Sequence, residues 1–255
     1  MTIKTINGLS VIEPNWSVPA HIKAYSTTRL GGFSSAPIDG LNLALSVEDD
    51  RDDVIKNRAR LMEALNLPEP PRWISQTHST IVHDASALEA ICEGDALFTT
   101  KPNQVCAILT ADCLPIILTN ETGTFVSAIH AGWRGLLNGI IENTLSACHH
   151  MDDTMIAWLA PAISQKAFEV GPEVREAFMA HNLHYGDFFI DSERANHFYA
   201  DLYNIAREKL KAFGVKAHNI FGGDYCTHSS PDLFFSYRRD GKASGRQATL
   251  IWMAS

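Results

Sequence analysis

Two imidazoles and a thiol, at His78, Cys113 and His130, are the residues of this 255-residue chain best suited to share one metal ion. Cys113 and His130 flank an apolar hairpin pattern, TADCLPIILTNETGTFVSAIHAGWRG (residues 110–135), around the polar turn Asn120-Glu121-Thr122-Gly123. A turn centred between Glu121 and Thr122 pairs Cys113 directly with His130 on one face, where cross-strand Cβ atoms lie about 4.5–5.5 Å apart. The same register sets Leu114 against Ile129, Pro115 against Ala128, Ile117 against Val126 and Leu118 against Phe125. His78 falls in a polar interruption, Gln76-Thr77-His78-Ser79, between apolar runs. Imidazole and thiolate together suit zinc, whose catalytic sites keep three protein ligands and one open position; a single copper is the alternative. Cys113 could instead be a nucleophile activated by His130. Asp112 is then a poor orienting group, because neighbours on an extended strand point to opposite faces.

Other groups belong with this constellation. Gly132-Trp133-Arg134-Gly135 leads into a helix whose first N–H groups lack intrahelical partners, so Arg134 and that N-terminus make an anion site. Arg29, beside the tight turn of TTRLGG, is a second cation for an anionic substrate group. Asp95, Asp112 and Asp224 are carboxylates able to carry a proton, and Cys226-Thr227-His228 offers a further thiol.

The elements that must position these groups are legible as patterns. Strands are expected over Ile22 to Thr28, on both sides of the His78 interruption, within the segment that follows Asp95, over the central hairpin, and over Met155 to Leu159, Leu233 to Tyr237 and Ala248 to Met253. The last two are joined by the basic turn Arg238-Arg239-Asp240-Gly241. Apolar stripes predict helices over Asp52 to Asn66, Gly135 to His149, Pro172 to His181 and about Ser192 to Phe213, the last ended by Gly214. Both faces of the hairpin are apolar, which calls for burial on both sides. The expected fold is α+β: a single domain over residues 1–255 of mixed β-sheets packed against helices, with a central buried hairpin carrying the metal site.

With 45% hydrophobic and 20% charged residues the chain has the composition of a globular protein. Its formal charge of −8, with no long basic run, argues against nucleic acid as a partner. Apolar runs fall short of a membrane span, and the N-terminus lacks a signal peptide's apolar region, so a cytoplasmic location is expected. Five cysteines without a CxxC motif argue against a disulfide framework.

The motifs QTHS, GDALFT, TADCLPI, AIHAGWRG and the late CTHS, FFSYRRDG and GRQ, in that order, resemble the laccase-domain family, also described as polyphenol oxidases, purine nucleoside phosphorylases or peptidoglycan editing factors. The resemblance implies a zinc held by His78, Cys113 and His130. It implies phosphorolysis of adenosine, inosine and 5′-methylthioadenosine to base and sugar 1-phosphate, and hydrolytic deamination of adenosine, with purine nucleosides and phosphate as partners. Arg29 or Arg134 would then neutralise phosphate, and Trp133 or Tyr225 would stack on the base. A peptidoglycan-precursor editing hydrolase and a non-enzymatic zinc-stabilised binding protein are the alternative readings. A laccase mechanism fits poorly: the chain has 11 histidines but no His-x-His pair with which to hold several coppers.

Overall fold

A computed structural model describes residues 2–148 and 154–255. One mixed sheet has six strands, in the order β13 (Ile220–Gly222), β9 (Met155–Leu159), β7 (Leu114–Asn120), β8 (Val126–Ala131), β5 (Ala96–Thr99) and β4 (Val82–Asp84). A second sheet has five, in the order β1 (Thr2–Ile6), β2 (Leu9–Glu13), β3 (Ile22–Thr27), β14 (Gln247–Met253) and β6 (Cys106–Thr110). A small sheet joins β10 (Glu169–Val170), β12 (Phe198–Ala200) and β11 (Phe189–Asp191). The helices are α1 (Arg51–Leu65), α2 (Trp133–Asn138), α3 (Ile140–Ala147), α4 (Pro172–His181), α5 (Leu202–Ala212) and α6 (Tyr237–Asp240).

Alternating side chains on the large sheets dictate the layering. Leu97, Ile117, Ala128 and Trp158 from the six-stranded sheet meet Ile12, Ile108 and Ile251 from the five-stranded sheet. The opposite face of the six-stranded sheet, with Leu114, Ile116, Leu118 and Ile129, is covered by Ile140, Ile141, Phe178, Ile205 and Leu210 of α3, α4 and α5. The outer face of the five-stranded sheet packs Val11, Leu250 and Trp252 on Leu61 and Leu65 of α1. The order helix, sheet, sheet, helices is the expected α+β architecture. Every residue of β7 and β8 is buried, which follows from a hairpin sandwiched between the two cores.

The hairpin register differs from the expectation by two residues. His130 lies opposite Pro115, not Cys113; Leu114 lies opposite Ala131, Ile117 opposite Ala128 and Leu118 opposite Ser127. The turn is wider than a four-residue turn allows. Asn120 Oδ1 accepts the Thr124 N–H at 2.9 Å, Asn120 Nδ2 donates to Thr124 Oγ1 at 2.8 Å, and Thr119 Oγ1 donates to the Phe125 carbonyl at 2.8 Å. These bonds draw Thr124 and Phe125 into the turn. A slip of two leaves each side chain on its face, so Cys113 becomes the diagonal neighbour of His130.

Several elements also depart from the patterns. The segment before His78 makes only isolated bridges, Arg72 to Cys106 and Ser75 to Glu93. The helix expected from Gly135 begins at Trp133 and breaks at Gly139, whose φ of 99° takes the chain out of the helical range; His149 lies outside the described residues. The long helix expected from Ser192 starts only at Leu202, where the Asp201 side chain accepts the Asn204 N–H, and Phe198 sits in β12. Leu233 to Tyr237 is not a strand: Phe234 and Phe235 are buried, and Tyr237 opens α6.

Asn120→Ala removes the two bonds between the Asn120 side chain and Thr124 and should cost about 1–2 kcal/mol. For a chain of this size the thermal midpoint is expected to fall by about 2–4 °C for each kcal/mol lost, as scanning calorimetry would measure.

Candidate metal centre

His78, Cys113 and His130 converge at the end of the six-stranded sheet. One ligating atom from each lies within 4.8 Å of the other two. Cys113 Sγ is 3.6 Å from His78 Nε2, and the two imidazoles meet edge to face with ring centroids 4.8 Å apart. His130 is buried, Cys113 half-buried and His78 exposed, so the group opens to solvent on the His78 side.

Each side chain reaches this point for a local reason. His130 lies in β8 and is held by the ladder to β7. Cys113 stands between Asp112, whose φ is 88°, and the first residue of β7. The left-handed residue turns the chain sharply between β6 and β7. His78 has φ 62° and lies on a loop without regular structure. That loop is tied to β6 by Gln76, whose side chain accepts the Leu109 N–H at 2.8 Å and donates to the Leu109 carbonyl at 2.7 Å. Gln76 thereby copies the pairing that a strand would make.

The buried carboxylate of Asp95 links the two histidines. Its Oδ1 accepts from His130 Nδ1 at 2.6 Å and from the His78 N–H at 3.1 Å. Its Oδ2 accepts from the Ser79 N–H and Ser79 Oγ, both at 2.6 Å, and from the Thr77 N–H at 3.3 Å. Because a carboxylate only accepts, His130 Nδ1 carries the proton and Nε2 is left for the centre. Burial alone would raise the Asp95 pKa, but the bonds from His130 and Ser79 overcome it and hold the carboxyl down at about 2. Burial also opposes charge on Cys113 and His130. The neighbouring imidazolium nevertheless draws the thiol below the ordinary cysteine range, and the thiolate with Asp95 raises His130. Both shifts favour the charged forms of this pair, and thiolate is the form in which cysteine binds a metal.

Gly132 is required for space. A Cβ there would stand 2.8 Å from His78 Cδ2 and 3.1 Å from Cys113 Sγ. Sequence alone marks Gly132 only as part of a turn; the crowding of a side chain there against both ligands is a property of the packing. Two imidazoles, a thiolate, an ordered carboxylate behind one imidazole and an open side together fit a small, moderately soft cation.

The remaining candidates are dispersed. Asp112 is buried, and its carboxylate accepts from Thr227 Oγ1 at 2.7 Å, Ser236 Oγ at 3.0 Å and the Arg238 N–H at 2.6 Å. It ties the 227–238 segment to the corner before Cys113. Arg29 is turned to backbone, donating to the carbonyls of Pro231, Ile38 and Asp39 and lying 4.9 Å from the Phe235 ring centroid. Arg134 is exposed and covers the Trp133 ring at 4.4 Å. Cys226 bridges Ala162, and its sulfur accepts the Ser164 N–H at 3.3 Å; it is outside the ligand cluster. Asp224 is exposed, and Tyr225 packs edge to face on Phe234.

Comparison with known proteins adds to this geometry. The family described as multi-copper polyphenol oxidoreductase laccase matches residues 23–254. The chain is 45% identical over 244 residues to purine nucleoside phosphorylase YfiH of Escherichia coli (strain K12), covering 95% of this chain and 98% of that one. It is 43% identical over 242 residues to purine nucleoside phosphorylase PA4543 of Pseudomonas aeruginosa, with coverage of 95% and 98%. Among solved structures, a Neisseria meningitidis protein superposes with a TM-score of 0.88 at 40% identity, covering 96% of this chain and 99% of that one. YlmD from Geobacillus stearothermophilus superposes with a TM-score of 0.81 at 28% identity, with coverage of 92% and 93%.

Gly132→Ala should fold but lose at least tenfold in zinc affinity, because the new methyl group presses on two ligands at once; competition with a chromophoric chelator measures this. Asp95→Asn should lower zinc affinity about 10–100-fold, as removal of such outer partners does. In the metal-free protein the depressed Asp95 pKa adds stability that is full above the ordinary value of 3.8 and lost as pH falls toward about 2. The advantage of wild type over Asp95→Asn, about 2 kcal/mol at neutral pH, should therefore shrink between pH 4 and 2 in urea titrations.

Proposed function

The chain belongs to the multi-copper polyphenol oxidoreductase laccase family, and on that footing we propose that it is a zinc-dependent enzyme of purine nucleosides. It cleaves adenosine, inosine and 5′-methylthioadenosine with phosphate to the free base and a sugar 1-phosphate, and it also converts adenosine to inosine by hydrolytic deamination. The observation that carries the reading is the convergence of His78, Cys113 and His130 in a chain that aligns over nearly its whole length with relatives named purine nucleoside phosphorylases.

His78, Cys113 and His130 would hold the metal, which supplies Lewis acidity at the open side of the cluster. The protein's own groups keep that side in order. Asp95 sets the His130 tautomer and, through three consecutive N–H groups of residues 77–79, the position of His78. Asp112 holds the segment that ends in α6 against the corner beside Cys113. Phosphate binding requires a cation within reach of the centre, and stacking of the purine requires an open aromatic face.

The lone His₂Cys cluster among the described residues and the lack of His-x-His pairs favour nucleoside chemistry over oxidation by several coppers.

Cys113→Ala should lose bound zinc and at least a thousandfold in turnover of inosine with phosphate. Zinc is assayed by elemental analysis, and ribose 1-phosphate and hypoxanthine by chromatography. Adenosine without phosphate should yield inosine and ammonia. Cleavage of a muropeptide precursor in place of all nucleosides would overturn the proposal, as would full turnover by metal-free Cys113→Ala.

A further inference from the structure

β14 begins at Gln247, which lies opposite Thr110 at the end of β6. Carrying that antiparallel register one residue outward sets Arg246 opposite Ala111, at the corner that leads through Asp112 to Cys113. From the other side of this corner the Asp112 carboxylate accepts from Ser236 Oγ and from the Arg238 N–H. One carboxylate thus grips the residues on both sides of Tyr237 and holds that tyrosine beside the corner.

Tyr237 is 51% exposed, although its backbone is firmly anchored. The Arg246 guanidinium carbon lies 5.6 Å from its ring centroid. Arg246 is itself fixed by Nη1, which donates to the carbonyls of Ser244 at 2.6 Å and Gly245 at 2.9 Å. Among the described residues its Nε and Nη2 donate to no protein acceptor, so part of the guanidinium fork remains for an oxyanion. Burial lowers the Arg246 pKa from its ordinary value, and the neighbouring charges of Cys113 and Asp112 offset only part of that effect.

Of the aromatic and cationic groups considered from sequence, Arg134 stays exposed and the others are engaged with the protein. Trp133 is half-buried and covered by Arg134, Tyr225 packs on Phe234, and Arg29 donates to three carbonyls. An exposed ring and a held guanidinium, adjacent to each other and to the corner that carries Cys113, are the pair that a nucleoside and phosphate need. Aromatic faces stack on any base, and arginine takes oxyanions in a planar fork.

We propose that Tyr237 stacks on the purine base of the substrate and that Arg246 anchors the attacking phosphate. The assignment rests on the nucleoside-phosphorylase reading and deepens it. Tyr237 then sets affinity for the nucleoside, and Arg246 sets affinity for the inorganic substrate.

The test is steady-state phosphorolysis by the full-length, zinc-loaded protein, with inosine and phosphate varied independently. Tyr237→Ala should raise KM for inosine about tenfold, with a smaller change in kcat, and Tyr237→Phe should restore it. Arg246→Lys should raise KM for phosphate about tenfold with KM for inosine and zinc content unchanged. A wild-type KM for inosine in Tyr237→Ala, or a rise that Tyr237→Phe does not reverse, overturns the stacking role. A wild-type KM for phosphate in Arg246→Lys, or equal losses for both substrates, overturns the anchoring role. Wild-type protein that forms no ribose 1-phosphate overturns the underlying reading together with this assignment, whereas active wild type with unaffected variants overturns the assignment alone.

Discussion

The buried carboxylate of Asp95 is the interaction on which the centre depends. It gathers five donors, from the imidazole of His130, three successive backbone N–H groups of residues 77–79 and the Ser79 hydroxyl. A buried carboxylate is tolerated only when it is so bonded, since an unpaired charge in that position would cost several kcal/mol. The bonds that satisfy Asp95 also place two ligands carried by separate parts of the chain. His78 lies on an irregular loop, and its position is therefore inherited from a residue of a strand-bound turn. The Gln76 side chain, paired with Leu109, secures the same loop from its other end.

Asp112 performs the corresponding task for the third ligand. Its left-handed backbone is unfavourable for a residue with a side chain, by about 1–2 kcal/mol. Three hydrogen bonds to its carboxylate hold the corner in place and bring the 227–238 segment against it. The two aspartates thus act as fasteners on opposite sides of the cluster. Their oxygens are engaged with protein donors. Tyr237 and Arg246 owe their place at the site to this second fastener and to the β6–β14 register.

The sheets explain why such fasteners hold. β7 and β8 lie between two apolar layers, with the five-stranded sheet on one face and α3, α4 and α5 on the other. A rigid hairpin presents His130 and the start of β7 at fixed positions, while looser segments are brought to it by polar bonds. A left-handed, exposed histidine against a buried one leaves the cluster closed behind and open in front, as a centre that admits substrate requires.

Residue chemistry and pattern were enough to propose His78, Cys113 and His130 as one donor set and to read the buried hairpin and the α+β layering. Cys113 and His130 fall on one face whether the register is read at the turn centre or two residues away, because side chains alternate with period two. For the same reason the slip itself was invisible, and only the side-chain bonds of Asn120 and Thr119 settled it. Helical spacing at Phe198 concealed a short strand, because its pairing with the adjacent β11 and the more distant β10 leaves no mark on apolar periodicity. Tertiary structure alone decided that Asp95 orders both histidines, that Asp112 fastens residues 227–238, that a Cβ on Gly132 would crowd His78 and Cys113, and that Arg29 donates to backbone carbonyls. Each of these joins segments that do not neighbour one another in a helix or strand, and local periodicity carries no information about which polar groups burial will force together.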